Sequence, residues 1–256
     1  MRLIALCLIA ALLIGCNNQG LLQTARDTIE NKRAPTNAQM IEALKTALND
    51  GAADAALTLS AEGGFNKSSL YKIFLPPEAD TIVKNVKLIP NGAKLIDDAV
   101  LRINSAAEEA AKEATPIFAK AISDMTIADA VGILKGEQNA ATRYLQEKTS
   151  GALKTAFAPK INAALAKPLI AGVSAQNSWD TLTGGFNKVA NSLAGKAVKL
   201  EPVKTSINDY VLDKALFALF NEVGKTEAQI RANPLASSKA IVQKVFDYAK
   251  NALNKD

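Results

Sequence analysis

Apolar residues along this chain recur three and four positions apart, the spacing of one face of a helix, in segment after segment. The exception is the start, where Leu3 to Ile14 is continuously apolar. Asn17–Asn31 then reads as a linker or a first amphipathic helix, with Leu21, Leu22, Ala25 and Ile29 on one side and Pro35 as its stop. Thr36-Asn37-Ala38-Gln39 matches a capping box, in which the first and fourth residues satisfy each other's backbone N–H. The helix it opens carries Met40, Ile41, Leu44, Ala47 and Leu48 and runs through an alanine-rich stretch to about Ser60, before Gly63-Gly64. Ser68–Pro77 alternates Tyr71, Ile73 and Leu75 but has no strand partner, so it reads as a loop laid on the helices. Helices are expected over Glu78–Leu88, ended by Pro90, and over Asn91–Glu113, with Leu95, Ile96, Ala99, Val100, Ile103 and Ala107 inward.

The second half repeats the pattern. Thr115-Pro116 reads as an N-cap with proline in the first turn, opening a helix through Ser123. Thr126–Asp129 is a second capping box, and Gly136 a stop. A helix begins at Ala140; either Gly151 breaks it or it runs towards Lys167, with Pro159 near the start of a new segment. Gly184-Gly185 reads as a turn and leaves Trp179–Leu193 ambiguous. Ser206–Asp209 is a third capping box, before a wide apolar face of Tyr210, Val211, Ala215, Leu216, Leu219, Phe220 and Val223 that ends at Asn233-Pro234. Ser237–Leu253 closes the chain with Ile241, Val242, Val245, Phe246 and Ala249. There is no fixed-period repeat. The pattern predicts an all-α, bundle-like single domain over 37–256.

Composition changes this picture at the N-terminus. The apolar run after Arg2 is too short to span a bilayer, which takes about 20 residues, but suits a signal-peptide core. It ends in Leu13-Ile14-Gly15-Cys16, which resembles the lipobox of bacterial lipoproteins. The resemblance implies cleavage after Gly15, so that 1–15 is a leader and 16–36 an acylated start and linker. Acyl chains on Cys16 would bind the membrane, each buried CH₂ contributing about 0.8 kcal/mol. Asn17, where an aspartate would signal inner-membrane retention in the enterobacterial pattern, implies the inner leaflet of the outer membrane, facing the periplasm. Cys7 leaves with the leader, so the two cysteines leave neither a free thiol nor a disulfide. The formal charge falls from +5 to +4 on losing Arg2 and is spread along the chain, which predicts no nucleic-acid partner.

Candidate chemistry is sparse. The absence of histidine removes the common triads and zinc sites. The densest carboxylates, Asp97-Asp98, Glu108-Glu109 and Glu113, read as a solvated face paired with Lys112 and Arg102, not as a metal or glycosidase site. Gly63-Gly64 and Gly184-Gly185 lack the strand-before, helix-after setting of a phosphate loop. The expectation is a non-enzyme with no cofactor and no metal. Tyr71, Phe74 and Leu75 before Pro76-Pro77 form either a partner-binding surface or an anchor of the loop on the core.

A run of short segments then resembles one bacterial family. They are Gly64-Phe65-Asn66, Ile73-Phe74-Leu75-Pro76, Asn104-Ser105-Ala106-Ala107-Glu108, Pro116-Ile117-Phe118, Met125 through Ala130, Ala140 through Tyr144, Asp209-Tyr210-Val211 and Arg231 with Asn233-Pro234. In this order they are similar to the exported domain-of-unknown-function family numbered 4197, over roughly Gln39 to Phe246. Residues 169–200 depart most from that pattern. The resemblance implies an exported helical domain and brings no catalytic residue. Two readings of function follow: a lipid-anchored interaction or structural protein of the envelope with a protein partner there, or a carrier of a hydrophobic ligand. The carrier would use a cavity lined by Ile117, Phe118, Leu134, Tyr144, Phe217 and Phe220. Tyr71, Phe74, Phe118 and Tyr144 are the candidate ligand or partner contacts.

Overall fold

The computed structural model describes residues 34–80, 92–168, 172–197, 199 and 201–253. Cys16 and its leader, the Asn17–Asn31 segment and most of the expected Glu78–Leu88 helix lie outside these residues. Helix α1, Asn37–Ser60, begins at the anticipated capping box: Thr36 Oγ1 accepts from Gln39 N–H at 3.2 Å, and Gln39 Oε1 accepts from Thr36 N–H at 3.1 Å. Its inward face is mostly alanine and leucine, from Ala43 and Leu44 to Leu59. Small side chains let neighbouring helices approach closely, and α1 packs on α2 (Gly92–Ala111), α3 (Ala114–Ser123), α4 (Ile127–Lys135), α8 (Ile207–Ala232) and α9 (Ala240–Leu253). The other long helix, α5 (Ala140–Leu165), packs on α2, α3, α4 and α8. Among the described residues there is no strand, only a single bridge between Pro168 and Ser174. The fold is all-α, with Phe65, Phe118, Phe157, Leu145, Leu153 and Ile161 among its fully buried side chains.

Several boundaries differ from the pattern. Helix α3 starts at Ala114 with Glu113 in the N-cap position, so Thr115 is helical and does not cap. The chain turns directly out of α2, with Glu113 N–H on Ala110 O, which leaves no room for a separate cap at Thr115. Pro159 sits inside α5, and Gly151 does not interrupt it; the inward residues Leu145, Thr149, Leu153, Phe157 and Ile161 keep one buried face through both. Gly184-Gly185 is not a turn but lies within α6, Ala175–Ala190. That helix is capped by Ser174 and tied down on one side by Trp179 and Asn187, which overrides the weak propensity of two glycines. A short α7, Leu193–Ala197, folds back on the end of α6. The second capping box is realised at α4, where the Thr126 backbone and hydroxyl hold the Asp129 carboxyl below the ordinary aspartate range. The third is half-realised: Ser206 accepts from Asp209 N–H without the reciprocal bond.

Candidate functional site

Between α1 and the next 3₁₀ turn, Pro77–Ala79, the chain crosses the bundle as an irregular strap. Its start needs glycine at position 64, because a Cβ there would stand 2.5 Å from Thr58 O and 2.7 Å from Leu59 O. Phe65 is then driven fully into the core. An irregular segment cannot satisfy its own backbone, so its buried polar groups must find partners elsewhere. Two side chains of α2, one turn apart, supply them. Glu108 Oε1 accepts from Phe65 N–H at 3.1 Å and Asn66 N–H at 3.2 Å. Asn104, fully buried, accepts from Ile73 N–H at 2.8 Å and donates to Ile73 O at 2.8 Å and Val100 O at 2.7 Å. The Asn104 amide thus pairs with Ile73 as a neighbouring strand would.

The solvated-face reading therefore fails for Glu108, which is buried beneath the strap. It holds for its neighbours: Glu109 pairs with Lys112, which holds its carboxyl below the ordinary range, and Glu113 pairs with Lys160 at 3.1 Å. Arg102 reaches Pro168 O at 3.5 Å rather than a carboxylate.

Past Phe65 the strap runs antiparallel to α8. Tyr71 O–H donates to Asn221 Oδ1 at 2.8 Å midway along that helix, and Thr205, just before the helix begins, donates its O–H to Glu78 Oε1 at 2.7 Å. Between those two bonds the strap carries Phe74 and α8 carries Lys214 and Phe217. Phe74 and Phe217 are each 62% exposed, and Leu70 is 68% exposed. Lysines stand over the aromatic rings on this side: Lys72 Nζ 5.7 Å from the Phe74 centroid, Lys214 Nζ 5.5 Å from Tyr210, and Lys225 Nζ 4.8 Å from Tyr71. Burial raises the Tyr71 hydroxyl above the ordinary tyrosine value. Burial also pushes the Glu222 carboxyl up, but Lys225, 2.8 Å away, and the Tyr71 hydroxyl together outweigh it and leave the group lowered. With Tyr71 engaged by Asn221 and Lys225 neutralised by Glu222, the face offers aromatic and apolar surface rather than an activated nucleophile.

A second buried carboxylate organises the far side. Asn139 makes no side-chain cap for α5. Glu227 of α8 does this from across the interface, accepting from Ala141 N–H at 3.0 Å, Thr142 N–H at 2.8 Å and the Thr142 hydroxyl at 2.7 Å. Negative charge at a helix N-terminus is favoured by the unpaired N–H groups and the dipole. Arg231 balances the charge at 2.9 Å and donates onward to Ile133 O at 2.8 Å.

Of the four expected contact residues, the structure brings Tyr71 and Phe74 together on the strap. Phe118 is fully buried and packs edge-on against Phe220, centroids 5.9 Å apart. Tyr144 is half-buried on α5 with Lys148 over its ring, and burial raises its hydroxyl. The six residues expected to line a cavity do not share one lining, because Phe217 is at the surface. A crevice of about 20 Å³ does open between α1, α5, α8 and α9, lined by Leu44, Leu48, Val223 and Phe246, room for one water molecule. Among the described residues no three His, Cys, Asp or Glu side chains group as metal ligands, and no helix is long and apolar enough to cross a membrane.

Asn104, Glu108, Asn221, Glu227 and Arg231 organise this structure, and none was marked as functional by its spacing. The sequence signals were the string Asn104 to Glu108, whose two polar ends lie four apart and so share a helix face with Ala107 beside them, and Arg231 in the last of the family-like segments.

The fold and site define an all-α domain whose irregular strap is clamped from beneath by buried polar side chains. The chain belongs to the family described as a protein of unknown function, DUF4197, whose model matches residues 34–247. No curated protein and no solved structure matches it.

Proposed function

We propose that this protein is a non-catalytic interaction module of the bacterial envelope, held by acyl chains on Cys16 at the inner leaflet of the outer membrane and facing the periplasm. The observation that carries the interaction role is the strap. Buried Asn104 and Glu108 fix an irregular segment whose outer side presents Phe74 and Leu70, and Phe217 of the neighbouring α8 is exposed as well. Exposed aromatics held by a rigid support lose little freedom on binding, which favours a protein partner at this face. The anchor rests on the Leu13–Cys16 sequence, and a tethered domain gains effective concentration towards partners in the same membrane.

A photo-crosslinking residue at position 74 of the full chain, expressed in cells, tests the face. A discrete adduct is expected from position 74 and not from position 57, where Leu57 is 71% exposed on α1. Identical or absent adducts from both positions would overturn it. For the anchor, Cys16→Ser should abolish labelling with a palmitate analogue; unchanged labelling would sink that part alone. Lipid retained by the purified protein in native mass spectrometry would favour the carrier reading instead.

A further inference from the structure

The end of α6 and the short α7 carry a face that the rest of the bundle does not cover. Trp179 and Asn187 fasten α6 inward: the indole N–H donates to Thr205 O at 2.8 Å, and the Asn187 amide takes both backbone groups of Val203. Beside that fastened side, Phe186 and Val189 are 39% and 56% exposed, three residues apart and so on one helix face. Leu193, four residues further on at the first position of α7, is 90% exposed. Gly195 fixes this arrangement, because a Cβ there would clash with Val189 O and Ala190 O; only glycine lets α7 fold back so tightly on the end of α6. Val173, before α6, adds a further side chain at 47% exposure. Three large apolar side chains within eight residues, all outward, are not the scattered exposure normal for a protein surface.

The charge within this segment has one sign. Residues 184–200 contain Lys188, Lys196 and Lys199 and no aspartate or glutamate, the flanking acids being Asp180 and Glu201. All three lysines are exposed, and among the described residues none is in an ion pair. Apolar side chains bordered by lysines that are in no ion pair match the boundary of an anionic bilayer, where acyl chains receive the apolar groups and headgroup phosphates receive the ammonium groups. A protein partner with an acidic rim would satisfy the same charges, but the membrane is the surface to which the proposed anchor would already confine this domain. Seventeen residues lie between Cys16 and Ala34, a tether of at most about 60 Å.

We propose that the α6–α7 face, through Phe186, Val189, Leu193, Lys188 and Lys196, docks on the surface of an anionic phospholipid bilayer and sets which side of the domain faces away from it. This goes beyond the strap reading: α6–α7 is the membrane side, and the strap is left for a protein. The Cys16 anchor only keeps the bilayer near; the docking contacts are the domain's own.

The test uses the full chain reconstituted in vesicles of phosphatidylethanolamine with phosphatidylglycerol. A Leu193→Cys variant carries an environment-sensitive probe, and a Leu57→Cys variant carries the same probe as the reference. The probe at 193 is expected to shift to the blue and to be quenched by lipids bearing a quencher in their acyl chains, while the probe at 57 is unchanged. Lys188→Gln with Lys196→Gln is expected to lower the inserted fraction about 25-fold, since each lysine near such a surface is worth about fivefold in occupancy. Quenching at 193 no greater than at 57 would overturn the proposal. So would protection of the 193 probe without lipid quenching in a species of twice the mass, which would make the face a contact between two copies. Double labelling of each variant would show an unmodified Cys16 and so a failed anchor, while the reading at 193 still decides the docking.

Discussion

Two asparagines make the same bond pattern in two parts of this molecule. Asn104 grips both backbone groups of Ile73, and Asn187 grips both backbone groups of Val203. Asn104 is fully buried between α2 and the strap, beside Glu108 and in a region where Phe65 and Ile73 are also buried. Asn187 is half-buried at the edge of α6, next to exposed Phe186 and Val189. The device is the same and its consequence is not. Where water cannot replace a lost bond, the pair is a condition of the fold; where water can, it is a fastening that the fold survives without. The clamped strap and the α6–α7 arm are thus a rigid and a loosely held part of one chain.

The largest expected effect is at the rigid end. Glu227→Ala removes four bonds, uncaps α5 and leaves the Arg231 guanidinium, 13% exposed, without its carboxylate. Losing one partner of a buried ion pair costs about 3–5 kcal/mol, so chemical denaturation should show a large drop in midpoint. A drop below about 1 kcal/mol would place the pair on the surface in effect and erase the contrast with the arm. Asn104→Ala comes next. It orphans the N–H and C=O of Ile73 at about 1–3 kcal/mol for each unsatisfied group, partly relieved if the strap lifts. Hydrogen exchange should then accelerate at Ile73 and Phe74 first. Unchanged exchange there would mean that the strap is held by Phe65 and Tyr71 alone.

The difference between the two regions also governs what the sequence discloses. Thr36–Gln39 and Thr126–Asp129 were legible because a capping box is closed within four residues and needs nothing else. Most of the bundle helices were legible for a similar reason, since period and caps are local. Glu108 was misread because its role depends on where Phe65 and Asn66, more than forty residues earlier, come to rest. Glu227 was not singled out for the same reason, its partners lying at Ala141 and Thr142. Gly184-Gly185 was misread in the opposite direction: the local signal for a turn was strong, and the docking of Trp179 and Asn187 overrode it. Tyr71 and Phe74 were found because aromatics in a loop stand out, and the alternation of Tyr71, Ile73 and Leu75 set Phe74 on the opposite side but left open which side meets the core.

Asn187→Ala measures the arm against the strap with the same chemistry. It should cost about 1 kcal/mol or less, because the Val203 backbone is half-buried and water takes over its bonds. Exchange at Val203 should rise while Ile73 stays protected. Equal global destabilisation by Asn187→Ala and Asn104→Ala would show that the arm is as integral to the fold as the strap.

The smallest effect has the opposite sign and separates the regions most cleanly. Gly184 and Gly185 lie within a helix, and a Cβ added at either meets nothing within 4 Å. Each therefore carries the entropy cost of helical glycine with no packing reason for it, and Gly184→Ala or Gly185→Ala should stabilise the protein by about 0.5–1 kcal/mol. Gly64→Ala, by contrast, puts a methyl 2.5 Å from Thr58 O and must displace backbone at the start of the strap. Such overpacking costs about 1–3 kcal/mol. One substitution type should thus raise the thermal midpoint in the arm and lower it at the strap. Destabilisation by Gly184→Ala or Gly185→Ala would mean that another surface closes over α6 in solution. The vesicle measurement would then decide whether that surface is lipid, because only lipid makes the loss depend on an added bilayer.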